Sequence, residues 1–339
     1  MPAPVVDLTD LRQTSFHVLN DLAEGCDVAK VYHDDAQFFG VHPFNERKGQ
    51  DAIADVWSQL RAAIPDMERR TTLHLAGRNL PDPRLSSLRA AQLVACMGVY
   101  QGRFLADLCD VPATGKTISL RFCEVHEVVD GKIATTYLML DLADLMLQAS
   151  VWPFVTSLGA EGQWHGPATA DGVRLSGDQN DTAAMDVVLA MHNALQSFDG
   201  KSLASMPHAD YWHADFMWYG AAGIGTTRGL EEFRAHHQIP FLTAFPDRSG
   251  AGHYIRISDG DYAVTGGWPS VTGTHRGTWL GMPPTGKVIN MRVMDFYRLR
   301  DGRIAENWVP MDIIDIARQM GVDVFERVRH MTGKPRLSL

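Results

Sequence analysis

No basic block interrupts this chain: Lys plus Arg number 31 against 40 Asp plus Glu, for a net charge of −9. Without a concentrated cationic patch the chain is a poor polyphosphate binder, so nucleic acid is not its expected partner. Long apolar runs are also missing. The most apolar stretch, residues 137–155, carries Asp141, Asp144 and Gln148 and then meets Pro153, so no membrane span is expected. The first ten residues have neither a basic start nor an apolar core, the two marks of a signal peptide. Cysteine is scarce. Cys26, Cys96, Cys109 and Cys123 form no C-x-x-C pair and lie mostly in apolar runs, which favours buried thiols in a reducing cytoplasm over a disulfide or zinc framework. The histidines show no H-x-x-x-H or H-E-x-x-H spacing, so no metal is expected. The run Gly220-Ala-Ala-Gly-Ile-Gly225 lacks the strand-and-helix setting of a phosphate loop; it reads as a turn over a pocket mouth, and no cofactor is expected.

What is present is an ordinary globular mixture, 45% hydrophobic and 21% charged, which excludes wholesale disorder. At 339 residues the chain suits two domains. The sequence also repeats itself. Val111-Pro-Ala-Thr-Gly-Lys116 returns as Met282-Pro-Pro-Thr-Gly-Lys287, and the same offset of 171 takes Asp130-Gly131 onto Asp301-Gly302, Asp141 onto Asp312 and Asp144 onto Asp315. Upstream the offset becomes 180, taking His33 onto His213, Gly40 onto Gly220 and Gly49 onto Gly229. The difference implies extra residues in the first copy, placed by its prolines and serines at a loop over 81–91. The expected organisation is a first domain over 1–149, a linker over 150–182 and a second domain over 183–330. Trp152, Phe154 and Trp164 are too apolar for a free tether, so part of the linker should dock on a domain. Each copy reads as helices followed by a meander of antiparallel strands, an α+β pattern with helices on one face of a sheet. A tight hairpin is expected at residues 300–303, since Gly302 can adopt positive φ.

Pro284-Thr-Gly-Lys287, then Arg298-Leu-Arg-Asp-Gly-Arg-Ile-Ala-Glu-Asn-Trp308, Asp312 and Gln319-Met-Gly321 resemble the C-terminal signature of SnoaL-like polyketide cyclases, in the nuclear-transport-factor-2-like superfamily. His213-Ala-Asp-Phe-Met-Trp-Tyr-Gly220 and Thr227-Arg-Gly229 resemble that family's early hairpin and second helix. The first copy is more divergent, with Thr135 and Tyr137 where the second has Glu306 and Trp308. The resemblance implies two tandem cone-shaped domains, each a curved antiparallel sheet with helices on its concave face around a pocket. It also implies an acid/base Asp near the end of the hairpin, matching Asp312 and Asp141, with a His close by, for which His126 is a loose match and Tyr297 the second-copy counterpart. The scaffold hosts many reactions, so it identifies fold better than chemistry.

Strand alternation sets which side chains share a face. A symmetric hairpin puts Met291, Val293, Asp295 and Tyr297 beside Glu306, Trp308, Pro310 and Asp312; a bulge would break that register. A carboxylate in an apolar cavity has a raised pKa and is a competent general acid or base near neutral pH. Asp295 and Glu124 are charged residues in apolar strands, so they are either site residues or paired structural charges. Asp141 and Asp312 also fit an N-terminal helix cap, each preceding a helix with a second Asp three residues on. His213 fits a pocket acid/base or a hydrogen-bonded rim histidine. Trp218, Tyr219, Trp308, Tyr297, Glu306, His236 and Tyr137 complete the expected substrate-binding set, with only one of His236 and His237 able to face inward.

The expected function is cofactor-independent general acid/base catalysis — an aldol-type cyclase, isomerase or lyase — on a small apolar carbonyl compound, centred on the second copy. Alternatives are a non-catalytic small-molecule binder or assembly protein, and water addition to an epoxide. The copies are expected to pack as a pseudo-dimer, and the chain to form a homo-oligomer, a dimer first.

Overall fold

Repetition in sequence becomes repetition in shape. A computed structural model describes residues 6–85, 91–179 and 182–333. The first sheet has six strands in the order Glu46–Lys48, Tyr32–Gly40, Lys132–Leu140, Thr117–Val129, Gln92–Arg103 and Glu68–Arg78. The second has seven: Thr226–Arg228, Trp212–Gly220, Arg303–Val309, Val288–Arg300, Tyr262–Thr274 and Ser249–Gly250, with Ile255–Asp259 also pairing with Tyr262–Thr274. Both sheets are cone-like and α+β, but neither is purely antiparallel. Tyr32–Gly40 runs parallel to Lys132–Leu140, and Trp212–Gly220 parallel to Arg303–Val309. Each parallel pair joins the first long strand of a domain to its last, across the long connection such pairing requires.

The helices follow the apolar period. Gln50–Ala63 buries Ile53, Val56, Trp57 and Leu60, one stripe at helical spacing. Its counterpart is interrupted: Gly229–Phe233 and Ile239–Ala244 flank a π-turn at Arg234–Gln238. Gly49 and Gly229 stand at an offset of 180, but beyond the helix Asp66 and Asp247, which accept the amides of Arg103 and Thr274, stand at 181. The second helix thus holds one residue more, and a π-turn absorbs a single insertion without ending the helix.

The hairpin turns are as expected, with Asp130-Gly131 and Asp301-Gly302 all at positive φ. The register is not the symmetric one. Arg300 pairs with Arg303 and Leu299 with Ile304, but then Arg298 pairs with Glu306, Tyr297 with Asn307 and Phe296 with Trp308, so Ala305 is an extra residue. A matching bulge lies between Glu127 and Val128. One extra residue exchanges the faces of everything beyond it. Glu306 and Trp308 therefore face away from Asp295 and Tyr297, and Asn307 faces with them.

Residues 79–91 connect two strands where the second domain needs only Gly260 and Asp261, so the first copy's extra residues lie in this loop, of which 86–90 fall outside the described residues. The segment between the domains docks along much of its length. Gly159 and Ala160 bond the backbone at Ile224 and Thr226, the Trp308 indole donates to the His165 carbonyl at 2.7 Å, and Gly172 and Arg174 bond the backbone of His74. All four cysteines are unpaired, with Cys96 and Cys123 buried. Among the described residues, no helix is long and apolar enough to cross a membrane.

Candidate active site

The second domain is hollow. A cavity of about 530 Å³ lies between its sheet and its helices. Val288–Arg300 presents Val293, Asp295 and Tyr297 to it, and the neighbouring strand adds Asn307 and Val309. Trp212 and Trp218 come from the first long strand, Phe233, His237, Gln238 and Phe241 from the interrupted helix, and His192 from the helix Ala183–Leu195. Asp82, Pro83 and Arg84 of the first domain's long loop line it too. The same space in the first domain is filled. Sheet register equates Gly250, Val271 and Val293 with Arg69, Tyr100 and Phe122, three large side chains packed together there.

Asp295 is enclosed by protein, yet keeps part of its surface open to the cavity. Burial pushes its carboxyl up to about 7, and hydrogen bonding with Tyr297 and Asn307 offsets only part of that rise. Among the described residues no arginine pairs with it. Burial likewise raises the Tyr297 phenol well above its ordinary value, and its hydroxyl lies 3.0 Å from His192 Nε2. Burial lowers His192 and His237 to about 3 and His253 to about 4, so all three are neutral imidazoles at physiological pH. His237 stacks on Trp218 with ring centroids 4.0 Å apart. Trp212 Nε1, Gln238 Oε1 and His253 Nδ1 have no hydrogen-bond partner among the described residues. Buried polar atoms left open in a cavity are places for a ligand's polar atoms or for water.

Glu124, at the position of Asp295, has the opposite environment. Burial alone would raise its carboxyl, but Arg69 and then His126 hold it down at about 2. Arg69 bonds it directly, both side chains being almost wholly buried, and the Tyr100 hydroxyl donates to it at 3.3 Å.

Of the residues singled out from sequence, Asp295, Tyr297 and Trp218 line the cavity together. His126, at the Tyr297 position, lines a smaller cleft of about 250 Å³ in the first domain, its Nδ1 2.9 Å from the Thr136 hydroxyl. The other predicted site residues stand elsewhere. Asp312 Oδ1 caps its helix by accepting from the Asp315 amide, while Oδ2 accepts from the His42 amide of the first domain at 2.8 Å and from Arg292 at 3.1 Å. Asp141 does the same in reverse, accepting from the amides of Asp144 and, in the second domain, Ala222, and from Arg121. The glycine-rich turn at 220–225 therefore sits at this contact between domains instead of over a pocket. His213 bonds the Arg300 carbonyl on the surface at 2.9 Å, as His33 bonds that of Val129 at 2.8 Å. Tyr219 stacks on Trp308, and Tyr137 on Phe39, both on the faces turned away from the interior by the bulges. Glu306 pairs with Arg298 and receives the Ala168 amide. His236 is exposed; its neighbour His237 is the one inside.

Sequence reasoning missed Asn307, because the bulge was invisible, and Arg84, because it belongs to the other domain. His192, His253 and Trp212 were visible only as part of a histidine- and tryptophan-rich half. The change of offset from 180 to 181 was the available signal for His237.

Two cone-like domains, the second with the larger cavity and a buried carboxyl inside it, define a duplicated α+β fold. The family described as SnoaL-like polyketide cyclase matches residues 189–320, and that described as SnoaL-like domain matches residues 24–136. The chain belongs to the SnoaL-like family as a tandem of two such domains. No curated protein matches it. Similar solved structures include IdmH of Streptomyces antibioticus, described as a candidate polyketide cyclase, at 25% identity and TM-score 0.33, covering 41% of this chain and 99% of its own. AclR of Streptomyces galilaeus, described as a candidate hydroxylase, has 20% identity and TM-score 0.32 over 41% and 95%. A candidate SnoaL-like polyketide cyclase of a Jannaschia species has 10% identity and TM-score 0.35 over 44% and 97%.

Proposed function

We propose that the second domain is a cofactor-independent general acid/base catalyst acting on a small, largely apolar carbonyl compound, in the manner of an aldol-type cyclase, isomerase or lyase. One observation carries the reading: Asp295 faces an aromatic-lined cavity, forms no ion pair among the described residues, and is pushed by burial up to about 7. A carboxylate with a pKa near the working pH both exists in its basic form and has driving force to take a proton. In this reading Asp295 removes a proton from the carbon beside the carbonyl and returns it to another position. The Trp212 indole, without a partner among the described residues, supplies a donor for the developing enolate oxygen. Neutral His192 holds the Tyr297 hydroxyl in place beside the carboxyl.

A second reading, water addition to an epoxide, gains from the observed register, which brings Asn307 and Tyr297 to the side of Asp295 where they can orient a water. The experiment that separates these is exchange of the α-protons of 2-tetralone in deuterated water, followed by NMR. Enolisation predicts exchange above the buffer rate, rising with pH through about 7. Asp295→Asn should remove it by about 10²–10⁴-fold at an unchanged or higher melting temperature. Exchange that Asp295→Asn leaves intact sinks the enolisation reading, and hydrolysis of a styrene oxide in its place would establish the second.

A further inference from the structure

The first domain's long loop reaches into the second domain's cavity, and it brings a charge with it. Arg84 spends Nε and Nη2 on Asp82, at 3.0 and 2.7 Å, while its Nη1 stands 2.8 Å from where a Cβ on Gly250 would sit. Gly250 is the position of Arg69 in the first domain. One arginine has been removed from the sheet, and another arrives from the neighbouring domain at the same rim.

Around it the charges do not cancel. Arg256, buried, also binds Asp82 at 2.8 Å, so two guanidinium groups share one carboxylate. Against the raising effect of burial, hydrogen bonds from Arg84 and from the amides of Arg84 and His253 hold Asp82 below the usual carboxylate range, so it is ionised. Arg256 Nε, though buried, has no hydrogen-bond partner among the described residues. Arg248 also lines the cavity, two residues before Gly250, with no ion pair among the described residues and only the Met206 sulfur, at 3.9 Å, beside its Nη2. Three arginines against one aspartate leave an excess positive charge at this end. Arg84 and Arg256 help to keep His192 and His253 neutral. The cavity is therefore polarised, cationic at this end, while Asp295 stands with Tyr297 and Asn307 on the sheet.

We propose that this is a composite subsite, in which Arg84 of the first domain together with Arg256 and Arg248 of the second receives a carboxylate group of the ligand. Arg84 Nη1, not used by the Asp82 pair, and the Arg248 guanidinium can donate charge-assisted hydrogen bonds to a carboxylate, with Arg256 adding charge, and a partly enclosed site screens them less than open water does. The substrate class follows: an apolar carbonyl compound bearing an acid group, held by the acid while the carbonyl end lies near Asp295. The inference rests on the same cavity as the catalytic reading, but on binding alone.

The test compares 2-naphthylacetate with its neutral analogue 2-naphthylacetamide by calorimetric titration of the full chain at pH 6. The acid should bind at least about tenfold tighter than the amide, with the difference shrinking as salt is added. Arg84→Gln should abolish the preference, at some cost in melting temperature because buried Asp82 keeps only Arg256 as its ionic partner. Arg248→Gln, wholly within the second domain, should reduce it in part. Equal binding of both probes, or a preference that survives Arg84→Gln, overturns the composite site. Binding of neither probe would remove the cavity as a ligand site and both readings with it. Loss of the catalytic reading alone, through Asp295→Asn leaving proton exchange intact, would not touch the preference.

Discussion

Glu124 and Asp295 occupy one position of one fold, and their surroundings have sent them in opposite directions. In the first domain Arg69, Tyr100 and Phe122 fill the interior and the acid is permanently ionised in an ion pair. In the second, Gly250, Val271 and Val293 leave the interior empty and the acid sits near neutrality. A buried carboxylate must have either a partner or a shifted pKa. Each domain has taken one solution. Duplication allows this, since one copy can specialise in stability and lend a loop to the other.

The sharpest way to break the contrast is to restore the missing arginine. Gly250 has no positive φ, and what a side chain there first meets is the end of the Arg84 side chain, so Gly250→Arg requires that guanidinium to shift and not the backbone. The new guanidinium should occupy the cavity and act on Asp295 as Arg69 acts on Glu124. Proton exchange should fall by about 10²-fold or more. Any residual activity should have its midpoint about 1–3 pH units below the original 7. A variant that folds, fills the cavity by loss of probe binding, and keeps its midpoint would show that the two positions are not electrostatically alike.

Next in size is the removal of Glu124. Glu124→Gln leaves Arg69 buried and unpaired, which should cost about 3–5 kcal/mol, read by urea denaturation, with proton exchange unchanged in the folded fraction. The pH dependences should oppose each other. Glu124 is held below its ordinary 4.5, so its contribution is present above that value and is lost as pH falls towards 2. Asp295 is raised from 3.8, so its contribution is complete below 3.8 and is lost as pH rises through about 7. Asp295→Asn should thus gain on the natural protein from pH 4 to 8, while Glu124→Gln should lose most at neutral pH. Parallel curves would mean that the two acids share one environment after all.

Much of this was legible in the sequence, at the level where chemistry is local. The Pro-Thr-Gly-Lys repeat, the Asp-Gly turns and the Asp141 and Asp312 spacing carry backbone conformation directly, and they placed two copies of one α+β fold. Asp295 stood out because an acid in an apolar strand demands an explanation. What failed was anything set by one residue's shift or by the other domain. Ala305 looks like any strand residue, yet its bulge moved Glu306 and Trp308 outward and Asn307 inward. Arg84 lies in residues with no counterpart in the second copy, and no local pattern says that they reach a cavity in another domain. Repetition itself misled in one respect. His213, Asp141 and Asp312 recur in both copies because they hold the shared frame, whereas the residues of the candidate site are those in which the copies differ.

That distinction sets the smallest expected effect. Asp312 bonds its own helix through one oxygen and the first domain's His42 amide through the other, and Asp141 returns the contact to Ala222. Asn keeps the capping oxygen, but its amide nitrogen accepts from neither His42 nor Arg292, so Asp312→Asn and Asp141→Asn should each cost about 1–3 kcal/mol. The two losses should be similar because the contacts are reciprocal, and neither should alter proton exchange. Burial raises the Asp312 carboxyl to about 6, so the natural protein's margin over the Asn variant should narrow as pH rises through that value. If Asp312→Asn instead removed exchange at an unchanged melting temperature, an aspartate at the domain contact would have to reach the chemistry. The division between a frame that repeats and a site that diverges would then fail at its most repeated residue.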